Sequence, residues 1–259
     1  AGTITATNDG SLKAIGVYVN GANATFNGTG GTIASENIAL ALKDTGANKI
    51  TKTGSLKLTK TAAVGVYAKN SVVDFDIAPT VIGADKTVAL YATGNTKIKS
   101  QITSVNGKAH IGVYAEGDAE FQTGSTVIVS NGSGSNYGIG IYTKAGYDKD
   151  VNTDIQQNGK ETIGLFLGSN GGAGSTVKHT GTIDVGGGIG VYVPQSSKFT
   201  AQNTTFNVGT NGTAVYLKGG DVDLGATGAA TINFTGTGGK AIYQDGGNIT
   251  TGANLHING

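Results

Sequence analysis

The chain has 259 residues and contains no Cys, Met or Trp; all 18 of its basic residues are Lys, so Arg is missing as well. Each absence closes off some chemistry. Without Cys there is no disulfide, no thiolate nucleophile and no Cys-based zinc site. Without Arg there is no bidentate guanidinium fork, the group that phosphate and carboxylate recognition ordinarily employs. Pro occurs twice, and Leu only 11 times against 41 Val plus Ile. Few helix formers beside many β-branched residues argue against an α-helical protein. Charged residues make up 14% with a net charge of +1, which lacks the basic excess of a nucleic-acid binder. No apolar run is long enough to read as a membrane-spanning helix.

Gly, by contrast, is abundant: 45 residues, about 17% where about 7% is ordinary. Its distribution follows a repeat. Five-residue segments recur as Ile15-Gly-Val-Tyr-Val19, Ile38-Ala-Leu-Ala-Leu42, Val64-Gly-Val-Tyr-Ala68, Val88-Ala-Leu-Tyr-Ala92 and Ile111-Gly-Val-Tyr-Ala115. They continue as Ile139-Gly-Ile-Tyr-Thr143, Ile163-Gly-Leu-Phe-Leu167, Ile189-Gly-Val-Tyr-Val193, Thr213-Ala-Val-Tyr-Leu217 and Lys240-Ala-Ile-Tyr-Gln244. The fourth position is Tyr18, Ala41, Tyr67, Tyr91, Tyr114, Tyr142, Phe166, Tyr192, Tyr216 and Tyr243, with a mean spacing of 25 residues. Each repeat carries two further apolar segments, such as Val73-Asp-Phe-Asp-Ile77 and Thr80-Val-Ile82, separated by Gly, Asn, Asp or Ser. Three short strands in so few residues leave no room for a helix.

A strand that recurs at this distance can pair in parallel with its own copy one repeat later. The chain is therefore predicted to be all-β, a right-handed parallel β-helix of three faces and about ten coils. It should form a single continuous segment over residues 1–259, roughly 48 Å long at ~4.8 Å per coil. Strand alternation places the third position, always Val, Leu or Ile, inside, together with the first and fifth. The second position, always Gly or Ala, should then share the outer face with the recurring Tyr. Rings covering the backbone of neighbouring Gly and stacking along the ladder would stabilise register. Two alternatives stand beside this: a Tyr column that serves as a carbohydrate-stacking platform, and an inverted ladder with Tyr inside.

The [Ile/Val]-Gly-[Val/Ile/Leu]-Tyr strands, with turns rich in Gly, Asn, Thr and Lys and with no Cys, resemble the passenger domains of bacterial type V autotransporters. The Arg-free composition is most similar to the large fusobacterial adhesins, the RadD-like group. The resemblance covers the chain from about Leu12 to Ile257. It implies a passenger exported through a C-terminal outer-membrane barrel and displayed on the bacterial surface or secreted, where it mediates attachment. Neither a signal peptide nor that barrel occurs in the sequence, and Thr3-Ile-Thr5 and Leu255-His-Ile257 still read as ladder strands. The expectation is a segment of a longer passenger, a monomeric rod that touches the membrane only through the missing barrel.

Catalytic and metal chemistry finds little support. His110, His179 and His256 fall in different coils and at different phases of the repeat, without ligand-spaced companions. No Gly-x-Ser-x-Gly elbow, Walker loop or complete Gly-x-Gly-x-x-Gly occurs, and Gly186-Gly-Gly188 reads as a turn. Asp148, Asp150, Asn152 and Asp154 alternate as in the first half of a calcium loop. However, Thr153 and Gly159 stand where such a loop needs Gly and Glu, and a polar strand face explains the same spacing. Polysaccharide-degrading β-helix enzymes are the catalytic alternative, but their converging carboxylates have no counterpart: Asp74/Asp76 and Asp221/Asp223 lie six coils apart. Thr-x-Thr segments do not recur in consecutive coils, which speaks against an ice-binding plane. Seven Asn-x-Ser/Thr sites, Asn23, Asn131 and Asn248 among them, follow from the Asn-rich turns, and the bacterial resemblance gives no reason to expect glycans.

The reading is a non-enzymatic adhesin segment without cofactor or nucleic-acid partner, bound to a host-cell or bacterial surface protein or glycan. A stalk that only spaces is the other reading. Binding residues usually sit on loops, and only Tyr137 and Tyr147 lie outside the repeat. With Asp148 and Lys149 they form the expected contact patch, two exposed Tyr among small and polar neighbours.

Overall fold

The computed structural model describes residues 2–9, 13–75, 78–81, 85–104, 110–130 and 138–259. Every regular element in them is a β-strand. Ten strands, one per repeat, stand in chain order in a single parallel sheet, from Ile15–Asn20 and Ile38–Lys43 through to Thr213–Lys218 and Lys240–Gln244. Like positions pair with like: Val64 with Val88 and Val88 with Ile111, Tyr67 with Tyr91 and Tyr91 with Tyr114. The chain is a parallel β-helix, as the repeat predicts.

Two further faces complete each coil. Early in the chain they are separate: Phe26–Gly28 pairs with Ile50–Lys52, and Thr3–Ala6, Thr32–Ser35, Ser55–Leu58 and Ala78–Val81 form a four-stranded sheet. Later coils merge them into long strands, Glu120–Ser130, Val151–Asn158, Thr176–Val185 and Lys198–Val208. Register shifts at Phe121/Ser125 and His179/Gly181 mark where such strands turn the corner, since an irregular residue is what bends a strand. On the third face a polar ladder runs across the coils. Asn207 Nδ2 donates to Asp184 (2.7 Å), Asn233 to Asn207 (3.1 Å) and Asn258 to Asn233 (2.8 Å).

The bore is filled by the third and fifth repeat positions. Val66, Leu90, Val113, Ile141, Leu165, Val191 and Val215 are fully buried, as are Ala68, Ala92, Leu167 and Val193. Phe121, Phe199 and Phe206 fill it from the opposite faces. Burying each aliphatic side chain is worth about 1.5–3 kcal/mol, so the repeated third position is the largest regular contribution to the rod.

The first and second positions differ from the expectation. Alternation would put the first inside and the second beside Tyr, but each does the opposite. Val64, Val88, Ile111, Ile139, Ile163 and Ile189 are half-exposed, while Gly112, Gly140, Gly164, Ala89 and Ala214 are buried. The second position also has no bridging partner at any of the nine pairings along the sheet. The backbone therefore departs from the regular pleat there, and positions two and three both point inward. A Cβ on Gly140 would lie 2.6 Å from the Gly164 carbonyl oxygen and 3.3 Å from Ile155 Cγ2. Small residues are needed because that Cβ faces the next coil's backbone, not because a Tyr ring covers them.

Candidate functional site

The fourth position does face outward. Tyr67, Tyr91, Tyr114, Tyr142, Phe166, Tyr192, Tyr216 and Tyr243 form one uninterrupted column with ring centroids 4.7–5.6 Å apart and planes tilted by 13–32°. All but the tilted Tyr67–Tyr91 pair are stacked, at separations favourable for aromatic pairs. Tyr18 stands apart, 57% exposed, because Ala41 occupies the column between it and Tyr67. Stacking has a functional consequence: the faces of the inner rings are covered by their neighbours, leaving edges and hydroxyls outward. A sugar ring would need a free face, so the inner column is no carbohydrate platform. Beside it an apolar trough of about 600 Å³ runs over Ile163, Ile189 and Thr213 to the rings of Tyr216 and Tyr243.

The structure corrects the expected contact patch. Tyr147 is 2% exposed and belongs to the core. Its backbone N–H closes a turn onto the Lys144 carbonyl (3.0 Å), its carbonyl accepts from Thr176 N (2.8 Å), and its hydroxyl donates to the Ala119 carbonyl (2.7 Å). Ala119, one coil below and itself fully buried, is small enough to leave room for the ring. Burial pushes the Tyr147 phenol well up, and the carboxylates of Glu120, Asp150 and Asp148 add to the shift. The polar and small neighbours that made Tyr147 look exposed are only the two ends of its turn. Tyr137 lies outside the described residues.

Asp148 and Lys149 do reach the surface. Lys149 Nζ lies 3.0 Å from Asp118 and 3.5 Å from Asp148, and Asp118, the nearer of these, raises its pKa first. Together with Glu120, Gln122, Asp150 and Asn152 they line a polar depression of about 360 Å³. A second ion pair lies on the neighbouring turn, where Lys144 Nζ donates to Glu116 (2.7 Å) and Thr93 Oγ1 donates to the same carboxylate (3.1 Å). Burial opposes ionisation of Glu116, but hydrogen bonds from Lys144, Tyr91 and Thr93 outweigh it and hold the carboxyl below its ordinary value.

The four residues of the calcium-loop pattern are divided. Asp148 and Asp150 edge the larger depression, Asp154 faces a smaller one and accepts a hydrogen bond from Thr182 N at 2.7 Å, and Asn152 lines both. Among the described residues no three His, Asp or Glu side chains converge as metal ligands. Of the His residues, His179 is completely buried between Thr153 and Thr204, which lie 3.0 and 3.1 Å from its two ring nitrogens. His256 is exposed.

One set of residues escaped the sequence reading. Thr45, Ser71, Thr96, Ser175 and Ser197 form a buried column at the corner after the ladder strand. Ser71 Oγ accepts from Thr45 N (3.2 Å), Thr96 Oγ1 from Ser71 N (3.4 Å) and Ser197 Oγ from Ser175 N (3.2 Å). The Ser71 and Thr96 hydroxyls thus satisfy amides of the preceding coil that the buried corner would otherwise leave unpaired, and Ser197 Oγ adds to the bond that the Ser175 amide already makes to the Gly168 carbonyl (2.9 Å). Tyr147 occupies the same corner in its own coil. The available signal was a small hydroxyl residue four or five positions after four of the ten anchors, Ala41, Tyr67, Tyr91 and Tyr192.

No protein-family model matches the chain, and among curated proteins none shows significant similarity to it.

Proposed function

We propose that the chain is a rod segment of a bacterial surface adhesin, of the kind carried as an autotransporter passenger. Its task is to hold attachment surfaces away from the cell at fixed spacing. The observation that supports this reading is the allotment of side chains. Positions two to five of nearly every repeat are engaged in the bore or the ring column, which leaves the corner turns as the variable surface. The best contact surface on those turns is the depression edged by Asp148, Lys149 and Asp150, where Lys149 pairs with Asp118; Tyr137, outside the described residues, is a further candidate. The charged rim of the depression suits a protein or glycan partner on a host cell or a neighbouring bacterium.

The test is attachment of the purified segment, coupled to beads, to epithelial cells and to partner bacteria. Binding that falls with Asp148→Asn combined with Lys149→Ala supports the patch. Binding unaffected by that pair and by Tyr137→Ala removes it. No binding to any cell assigns the segment to spacing alone.

A further inference from the structure

Cys and Met head the list of readily oxidised side chains, and this chain has neither, nor Trp. Oxidising equivalents that reach the rod therefore fall on Tyr, and seven of the ten Tyr stand in the stacked column. Phe166 divides them into Tyr67, Tyr91, Tyr114 and Tyr142 on one side and Tyr192, Tyr216 and Tyr243 on the other. Within the first group Tyr91 and Tyr114 are the closest and most nearly parallel, with centroids 4.7 Å apart and planes 13° apart. The Glu116 carboxylate lies beside the Tyr91 hydroxyl and, after the larger effect of burial, raises the phenol's pKa. A phenol gives up an electron readily only if its proton can leave at the same time, and the neighbouring Glu116 carboxylate is a base that can take it.

We propose that the column is an oxidative cross-linking site, in which a one-electron oxidant such as a haem peroxidase with hydrogen peroxide couples Tyr91 to Tyr114 as dityrosine. Each ring loses one electron to the oxidant and its phenolic proton, to Glu116 for Tyr91 and to water for Tyr114. The two phenoxyl radicals form one carbon–carbon bond between ring positions ortho to oxygen. The hydrogens displaced there move to the oxygens and restore both phenols. The protein has lost two hydrogen atoms, and one hydrogen peroxide has been reduced to two water molecules. The product is a covalent staple between adjacent coils in a chain that has no thiol to make one.

The experiment treats the folded chain with peroxidase and limiting hydrogen peroxide, then isolates the monomer. Expected are dityrosine fluorescence, a mass lower by two hydrogens, and one linked peptide containing Tyr91 and Tyr114 after cleavage at Lys, since Lys97, Lys99 and Lys108 separate the two rings. Tyr91→Phe, a replacement the column already accepts at Phe166, should abolish that linked peptide. Glu116→Gln should slow its formation and flatten the dependence of the rate on pH through the carboxylate range, while the Tyr91–Tyr114 stacking and the fold are retained. The same treatment in urea should lose the linkage. Dityrosine found only in dimers, or confined to the exposed Tyr18 and Tyr243, or formed equally in urea, would overturn the proposal.

Discussion

His179 offers the sharpest test of the interior. Both ring nitrogens are within hydrogen-bonding distance of oxygen, Nε2 of the Thr153 carbonyl and Nδ1 of the Thr204 hydroxyl. Since a carbonyl only accepts, the neutral ring must carry its proton on Nε2, which leaves Nδ1 as an acceptor facing the Thr204 hydroxyl. That same hydroxyl lies 2.6 Å from the His179 carbonyl, and its single proton cannot serve both. Burial dominates and lowers the pKa from 6.5 to about 4, against smaller opposing effects of the Thr153 carbonyl and Asp154. The unfolded chain therefore takes up a proton near pH 6.5 that the folded chain refuses until about pH 4. Stability from this group is fully present above pH 6.5 and is lost as pH falls through that window. At 1.36 kcal/mol per unit, the depression amounts to about 3 kcal/mol. Urea unfolding of the wild type and His179→Gln should be compared at intervals between pH 7 and pH 4. Carboxylates titrate in both proteins, so the difference in slope isolates the ring. Followed by hydrogen exchange in Val151–Asn158 and Thr176–Val185, the same comparison localises the effect. Equal slopes would refute the burial argument.

Two further substitutions examine other positions. Tyr147→Phe should lower stability by about 1 kcal/mol through the lost bond to the Ala119 carbonyl, and Tyr147→Ala by about 3–5 kcal/mol through the cavity; attachment lost without any change in unfolding would mean that the ring is a surface contact after all. Gly140→Val should destabilise the rod by about 1–3 kcal/mol, because the new side chain meets the Gly164 carbonyl. An unchanged melting temperature would show that position two faces outward, as simple alternation predicts.

The repeat was legible because its signals coincide: a narrow range of spacings, an invariantly aliphatic third position and a fourth that is aromatic in every copy but the one with Ala41. Parallel pairing of like with like follows from these, and the structure bears it out from Val17 to Ile242. What could not be read was the departure from the pleat at position two. A two-residue period assumes a regular strand, and nothing in Gly or Ala announces the side on which a missing side chain would stand. Tyr147 was misread for a related reason. Its neighbours Gly146, Asp148 and Lys149 describe a turn, but only its offset from the Tyr142 anchor places it in the corner column. Ser175 sits farther from its anchor, Phe166, because the Ser169–Asn170 and Ala173–Gly174 hairpin intervenes, so the column does not align by counting.

The hydrogen bonds joining one coil to the next run along the long axis, so a pull on the two ends loads them coil by coil instead of all at once. Each coil that peels away shortens the rod by ~4.8 Å and releases about 25 residues, or roughly 80–90 Å of extended chain. Under tension the segment would therefore yield in steps, each many times longer than the rod length it consumes. A tether with that behaviour limits the peak force on whatever it holds, and a single covalent staple between coils would fix where the yielding stops.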